Sequence, residues 1–341
     1  MKELKKINLQ LFAELNTNVT TDTGLSAENK TFYDRALIET ASPYLVHDQF
    51  GQNRPIPKNG GKKIEFRKYA SLPKTLTPLT EGVTPDGQKL SVSIVEAEVR
   101  QYGGYVTLSD ILDLTTIDNN VLEATKAVGR QAGITLDAIT RNVLQSGTNV
   151  YYAPKVGANG QTTAVTDRTG LDATCKLTVA LVKKVVAYLK AQNAPKINGD
   201  YVAIVHPYVC HDLMCDPEWI DAHKYTTSEN IYEGEIGKIA GVRFVESSEA
   251  AIYKGDEMDC PDGLAVFGCL FLADGAYGKT EITGGGLQTI VKQLGSAGTA
   301  DPLNQRSTVG WKATKTAEIL VEMYMVRVEC CSSFSSEAEA N

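Results

Sequence analysis

His206, Cys210, His211 and Cys215 lie within ten residues of one another. Imidazole and thiolate are the ligands zinc prefers, four to a tetrahedron. The spacing is not that of a paired CxxC knuckle. On one helix, His211 and Cys215 share a face and Cys210 is displaced from it. The simpler reading is a helix that follows the strand YVAIV at 201–205. His206-Pro207 opens it, and the cysteines are small buried apolar residues. A metal-dependent enzyme using the His206–Cys215 cluster remains an alternative of a different class.

Other chemistry is weaker. Gly234-Glu235-Ile236-Gly237-Lys238 has two glycines and a lysine, as phosphate loops do. A Walker loop needs GxxxxGK followed by Ser or Thr, and here the glycines are too close and Ile239 follows the lysine. Asp256, Glu257, Asp259 and Asp262 form an acidic turn, which reads as a solvated loop. No GxSxG elbow occurs, and His47 and His223 have no evident partners in the sequence. No catalytic set, cofactor or metal is expected.

The elements that would position any site are clearer. Asn119 to Gly147 carries the longest helical pattern. Val121, Thr125, Val128, Ala132, Leu136, Ile139 and Val143 recur at spacings of three and four, one face of a helix. Asn120 with Glu123 forms a capping box, and Ser146-Gly147 is a stop in which the glycine takes the left-handed conformation. Asp137 and Arg141 form an i, i+4 pair. About 25 residues at 1.5 Å rise give a rod about 38 Å long. Gly129 and Gly133, each costing about 1 kcal/mol against Ala, make sense if something packs close to that face.

Upstream, residues 1–22 are polar and read as an extended arm, and Ser26–Val46 is a helical pattern ended by Pro43. From 51 to 101 the pattern is that of strands. KIEFRKY (63–69) and LSVSIVEAEV (90–99) alternate apolar and polar residues. Pro73, Pro78, Gly82, Pro85 and Gly87 break the stretch between them. The result is a long hairpin with an irregular tip. An isolated two-stranded ribbon is marginal in water, so it is expected to lean on another chain. Downstream, helix 177–191, strand 201–205, helix 207–214 and strands at 241–245, 264–267 and 287–292 read as an α/β unit. Residues 312–328 read as a strand returning to the long helix. The tail 332–341 is polar and reads as disordered, leaving Cys330 and Cys331 exposed beside it.

Composition limits the class. The chain has 341 residues, 43% hydrophobic and 22% charged, with a net charge of −7. That is ordinary for a globular protein and carries no global basic signature for nucleic acid. No run reaches the roughly 18 apolar residues of a membrane helix, and INLQLFA is too short and interrupted for a signal peptide. Seven cysteines without framework spacing suggest free thiols in a reducing compartment.

The order of these parts resembles the tailed-phage major capsid protein with the Hong Kong 97 fold. Within that fold, the chain most resembles the family of the phage N-four major capsid protein. The resemblance is carried by LTEGVTPDGQ (79–88), YVAIVHPYVCHDLMCDPEWI (201–220), GEIGKIAGVRFVES (234–247), DPLNQRSTVGWK (301–312) and the opening KINLQLFAE. It covers most of residues 25–328.

The resemblance implies an α+β fold with an N-terminal arm and first helix (1–50) and an extended hairpin, or E-loop (51–101). A peripheral domain with the spine helix 119–147 would span 102–171, an α/β axial domain 172–300, and the return strand of the peripheral domain 301–331. The function it implies is structural, not enzymatic. Copies would form pentamers and hexamers of an icosahedral shell around double-stranded DNA, in the virion and, during assembly, in the host cytoplasm. Implied partners are other copies, a portal protein, a separate scaffolding protein, a decoration protein, and packaged DNA held non-specifically at the inner face. No membrane partner is implied. An encapsulin-like compartment is the alternative that shares the fold. Lys74, Leu76, Leu79, Glu81 and Val83 at the hairpin tip, with Arg130 on the polar face of the spine, are the residues expected to contact neighbouring subunits.

Overall fold

The computed structural model describes residues 35, 37–41, 44–69, 72–79, 81–84, 86–115, 120–157, 159–223, 237–296, 298 and 301–341. The expected N-terminal arm, Gly234–Ile236 and the side chain of His223 lie outside them.

The first half of the chain forms β1 (Gln52–Asn53), β2 (Lys63–Tyr69), β3 (Val92–Glu98), β4 (Arg100–Ser109), α1 (Asp110–Thr115) and α2 (Asn120–Gln145). There follow β5 (Val150–Tyr152), β6 (Lys155–Val156), β7 (Thr162–Thr163), α3 (Val179–Ala191), β8 (Tyr201–Val205), α4 (Pro207–Met214) and α5 (Pro217–His223). The remainder forms β9 (Lys238–Ile239), β10 (Val242–Glu246), β11 (Ile252–Tyr253), β12 (Val266–Leu272), β13 (Tyr277–Thr280), β14 (Gln288–Lys292), β15 (Arg306–Ile319) and β16 (Met325–Cys330).

A five-stranded sheet is ordered β1-β13-β15-β14, with β4 also paired to β15. The long β15 is its axis. It runs antiparallel to β4 from Arg306↔Ser109 to Lys315↔Arg100, and its far end takes β13. The spine helix α2 packs on this sheet. Leu37, Val128, Ala132, Leu136, Trp311 and Ala313 form one core there, with Tyr102 against it. The apolar stripe of the helix therefore faces the sheet.

A seven-stranded sheet is ordered β5-β16-β12-β8-β10-β9, with β11 on β12. YVAIV in β8 and VFGCLFL in β12 are buried at every position, as continuous apolar strands with both faces covered must be. On α3, Leu181, Val182, Val185, Val186 and Leu189 are buried. The Thr178 side chain accepts from the Leu181 N–H at 3.4 Å and caps that helix.

Three expectations are corrected. The return strand is two strands, broken by a short 3-10 turn at Glu322–Tyr324, and the second, β16, belongs to the seven-stranded sheet. The five-stranded sheet in turn takes β13 and β14 from inside the stretch 172–300. The periodicity over 312–328 could not show this, because strand partners are non-local. Finally, the tail 332–341 is packed. Ser335 and Ala338 are buried, the Ala265 N–H donates to Ser335 O at 2.8 Å, and Asn341 Nδ2 donates to Ala250 O at 3.1 Å. Its buried polar groups are held by these bonds, while Ser336, Glu337 and Glu339 stay in solvent.

Candidate intersubunit interface

The cluster His206–Cys215 does not converge. His206 caps α4, its Nδ1 accepting from the Tyr208 N–H at 3.2 Å, and its ring packs at 4.8 Å from Tyr208 and 5.2 Å from Phe267. Burial lowers its pKa. Cys210 is buried and its thiol is pushed up by the same cause, while Cys215 is exposed. Among the described residues, no three His, Cys, Asp or Glu side chains gather as metal ligands. Asp256, Glu257, Asp259 and Asp262 are exposed on the loop after β11.

The hairpin has a different character. β2 and β3 form their own two-stranded sheet, from Lys63↔Glu98 to Tyr69↔Val92. Among the described residues its root is the packed part: Phe66, Ala97 and Val99 are buried. Gly278 on β13 makes room for the Phe66 ring, since a Cβ there would sit 2.7 Å from it. The Arg54 guanidinium lies 5.7 Å from the same ring. Further out, the large apolar residues among those described are exposed. Leu76, Leu79 and Val83 are 85%, 74% and 62% exposed, and Leu72, Leu90, Val92 and Ile94 are also open. Large exposed apolar patches are a common feature of interaction sites. Lys74 and Glu81 stand exposed among them. Five of the six expected contact residues are thus brought together at one tip. Arg130 is exposed on α2, apart from them.

The spine helix is also held by residues 37–41, of which Leu37 shares its core. A Cβ on Gly129 would lie 2.9 Å from Leu37 O, and one on Gly133 would lie 2.5 Å from Ala41 O. The helical residues 37–41 therefore cross it backbone to backbone, the close approach that the two glycines imply. Gly147 works by space rather than by a left-handed turn, because a Cβ there would meet Met325 Cε at 2.5 Å. The expected Asp137–Arg141 pair is replaced by longer-range partners. Asp137 accepts from the His47 backbone N–H at 2.7 Å and meets His47 Nδ1 at 2.6 Å. Arg141 donates to Glu249 O at 2.9 Å. Next to His47, Asp48 accepts from Thr140 Oγ1 at 2.6 Å and from Lys315 Nζ, and Tyr277 Oη donates to His47 O. Burial lowers the Lys315 pKa against the pull of Asp48.

Two further buried carboxylates were invisible to sequence reasoning. Glu329 takes Arg168 in a two-pronged contact at 2.6 and 2.7 Å, with Arg327 at 3.0 Å. The Arg168 pKa is raised, chiefly by that hydrogen bonding. Asp212 accepts from Ser332 Oγ at 2.8 Å, from the Ser333 N–H at 2.7 Å and from Ser333 Oγ, with Lys176 Nζ at 3.2 Å. These bonds fasten the tail. Cys330 and Cys331 are buried under it, not exposed, and burial raises the Cys331 thiol to about 12.

A family model described as phage capsid protein matches residues 93–323. A comparison with curated proteins finds no match. Among solved structures, the cyanophage Pam1 capsid asymmetric unit is similar with a TM-score of 0.66 at 13% identity, over 86% of this chain and 92% of that one. The cyanophage P-SCSP1u capsid is similar with a TM-score of 0.62 at 13% identity, over 83% and 87%. The capsid of Ralstonia phage GP4 gives 0.59 at 14% identity, over 83% and 87%.

Proposed function

Because the chain belongs to the phage capsid protein family, we propose that it is the major shell subunit of a tailed double-stranded DNA phage, assembling as pentamers and hexamers. Such a subunit is a structural protein and works without a cofactor. The observation that carries this reading is the hairpin: a projection rooted in the subunit, with Leu72, Leu76, Leu79, Val83 and Leu90 all open to solvent. Covering such a side chain is worth about 1.5–3 kcal/mol, so several together can fasten a neighbour. Arg130, on the exposed face of the spine, is a second contact in the same proposal. The portal, a separate scaffolding protein and a decoration protein are the partners a shell of this type uses. A net charge of −7 suits an inner wall that holds packaged DNA only loosely, since phosphate binding needs clustered Lys and Arg.

The test is deletion of Leu76 to Gly87, with electron microscopy of the purified product. The expected outcome is a folded subunit that forms no stable shells. Normal shells from that deletion would refute the role of the hairpin.

A further inference from the structure

We propose that Lys315 and Asp48 condense into an amide within one chain, a covalent crosslink between β15 and the segment before β1. Lys315 is the only buried lysine among the described side chains. It stands on the face of β15 that meets the spine helix, and its Nζ touches Asp48 Oδ2. The two side chains are only 8% and 15% exposed, so bulk water is largely shut out.

The surroundings hold each partner differently. Nζ also donates to Leu136 O at 2.8 Å, which fixes the amine beside the carboxyl. Thr140, one turn further along α2, donates its hydroxyl to Asp48 Oδ1 at 2.6 Å. The two carboxyl oxygens are thereby distinguished: Oδ2 faces the amine and Oδ1 faces a hydroxyl donor. Such a donor stabilises the negative charge that gathers on an oxygen when a nucleophile adds to its carbon. Burial lowers the Lys315 pKa, against the pull of Asp48 and Asp137. It thus favours the neutral amine, which is the nucleophile.

The step balances without a further reagent. One Nζ proton moves to Oδ2, turning the ion pair into an amine and an acid. Burial penalises the charged pair, so the neutral pair is within reach. Nζ then adds to Cγ, and Thr140 meets the charge on Oδ1. A second Nζ proton passes to Oδ2, the Cγ–Oδ2 bond breaks, and water leaves. The Nζ–Cγ bond remains, with one hydrogen on the nitrogen. Groups fixed in this way react at effective concentrations of about 10⁵ M or more. The other buried carboxylates lack the combination. Glu329 meets arginines, which do not lose their protons, and Lys176 beside Asp212 is half-open to solvent. The bond would join residues 267 positions apart and would form inside the subunit, whether or not shells assemble.

The test is the intact mass of the purified full chain after denaturation, with peptide mapping. The expected result is a chain lighter by one water, and a branched peptide in which Lys315 is joined to Asp48. Lys315→Arg keeps the positive charge and should restore the mass that the sequence requires. A parent of full mass would overturn the proposal, because the pair then rests as an ion pair. A loss of one water that persists in Lys315→Arg would also overturn it, since a cyclised aspartate loses the same water. The branched peptide is read on the parent itself, so its absence overturns the proposal even if the variant folds poorly.

Discussion

Replacing Gly133 with Ala tests the crossing between the spine helix and residues 37–41, because two effects of opposite sign compete. In a helix interior Ala is about 1 kcal/mol better than Gly, so an uncrowded Gly133→Ala should stabilise. The new methyl, however, would stand 2.5 Å from Ala41 O and 3.1 Å from Ala41 Cα. Nonbonded carbons prefer about 3.5–4.0 Å, and neither obstacle is a side chain that could rotate away. The crossing segment would have to move, yet the Asp137 bonds to His47 at 2.6 and 2.7 Å resist it one turn further on. Overpacking of this kind costs about 1–3 kcal/mol, and a clash with backbone belongs in the upper part of that range. The net expectation is a loss of about 1–2 kcal/mol in urea unfolding of the dissociated subunit, followed by circular dichroism. Gly129→Ala meets Leu37 O at 2.9 Å and Leu37 Cα and Thr40 Cβ at 3.3 Å, looser contacts than at Gly133, and should cost less. A chain beginning at residue 44 lacks the obstacle, so there Gly133→Ala should stabilise. The reasoning fails if Gly133→Ala in the full chain is as stable as the parent or more so.

Val128→Asp puts a carboxylate between α2 and Trp311, and an unpaired buried charge costs several kcal/mol, so melting should fall sharply. Arg130→Ala should cost under about 0.5 kcal/mol in melting yet lower shell yield, which compares subunit and shell directly. Burial pushes the Asp212 carboxyl up, but hydrogen bonds from Ser333 and Ser332 and the contact with Lys176 outweigh it and hold the pKa below the usual value. A carboxylate depressed on folding stabilises above its unfolded pKa, about 3.9, and that contribution is lost as pH falls through the folded value. Acid unfolding of Asp212→Asn should therefore be less steep below about pH 4 than that of the parent. In thiol titration of the native protein, Cys215 should react at once and the six buried thiols only in denaturant.

What sequence reasoning could see was whatever repeats locally. The spine appears because its apolar residues keep helical spacing, and α4 because Pro207 follows a residue able to cap. The hairpin appears because its strands alternate and its tip is rich in proline and glycine. What escaped was fixed by distant partners. The pattern over 312–328 is that of a strand throughout, and only pairing with β12 and β5 shows that its end has changed sheets. His47 seemed isolated because its partner, Asp137, is 90 positions away. The tail seemed disordered because serine and glutamate usually seek water, and nothing nearby in sequence announces Asp212. In each case a buried polar bond substituted for hydration.

The interleaving of the two sheets has a consequence for synthesis. β1 pairs with β13, β4 with β15, and β5 with β16, so the first strands made wait for nearly the last. Contacts this remote in sequence close slowly, since loop entropy is paid before pairing rewards it. Neither sheet can be completed on the ribosome until β15 and β16 have emerged. A truncated translation product would lack the axis of one sheet and an inner strand of the other. It would leave the buried faces of both sheets open, so interrupted synthesis is expected to yield chains that complete neither sheet.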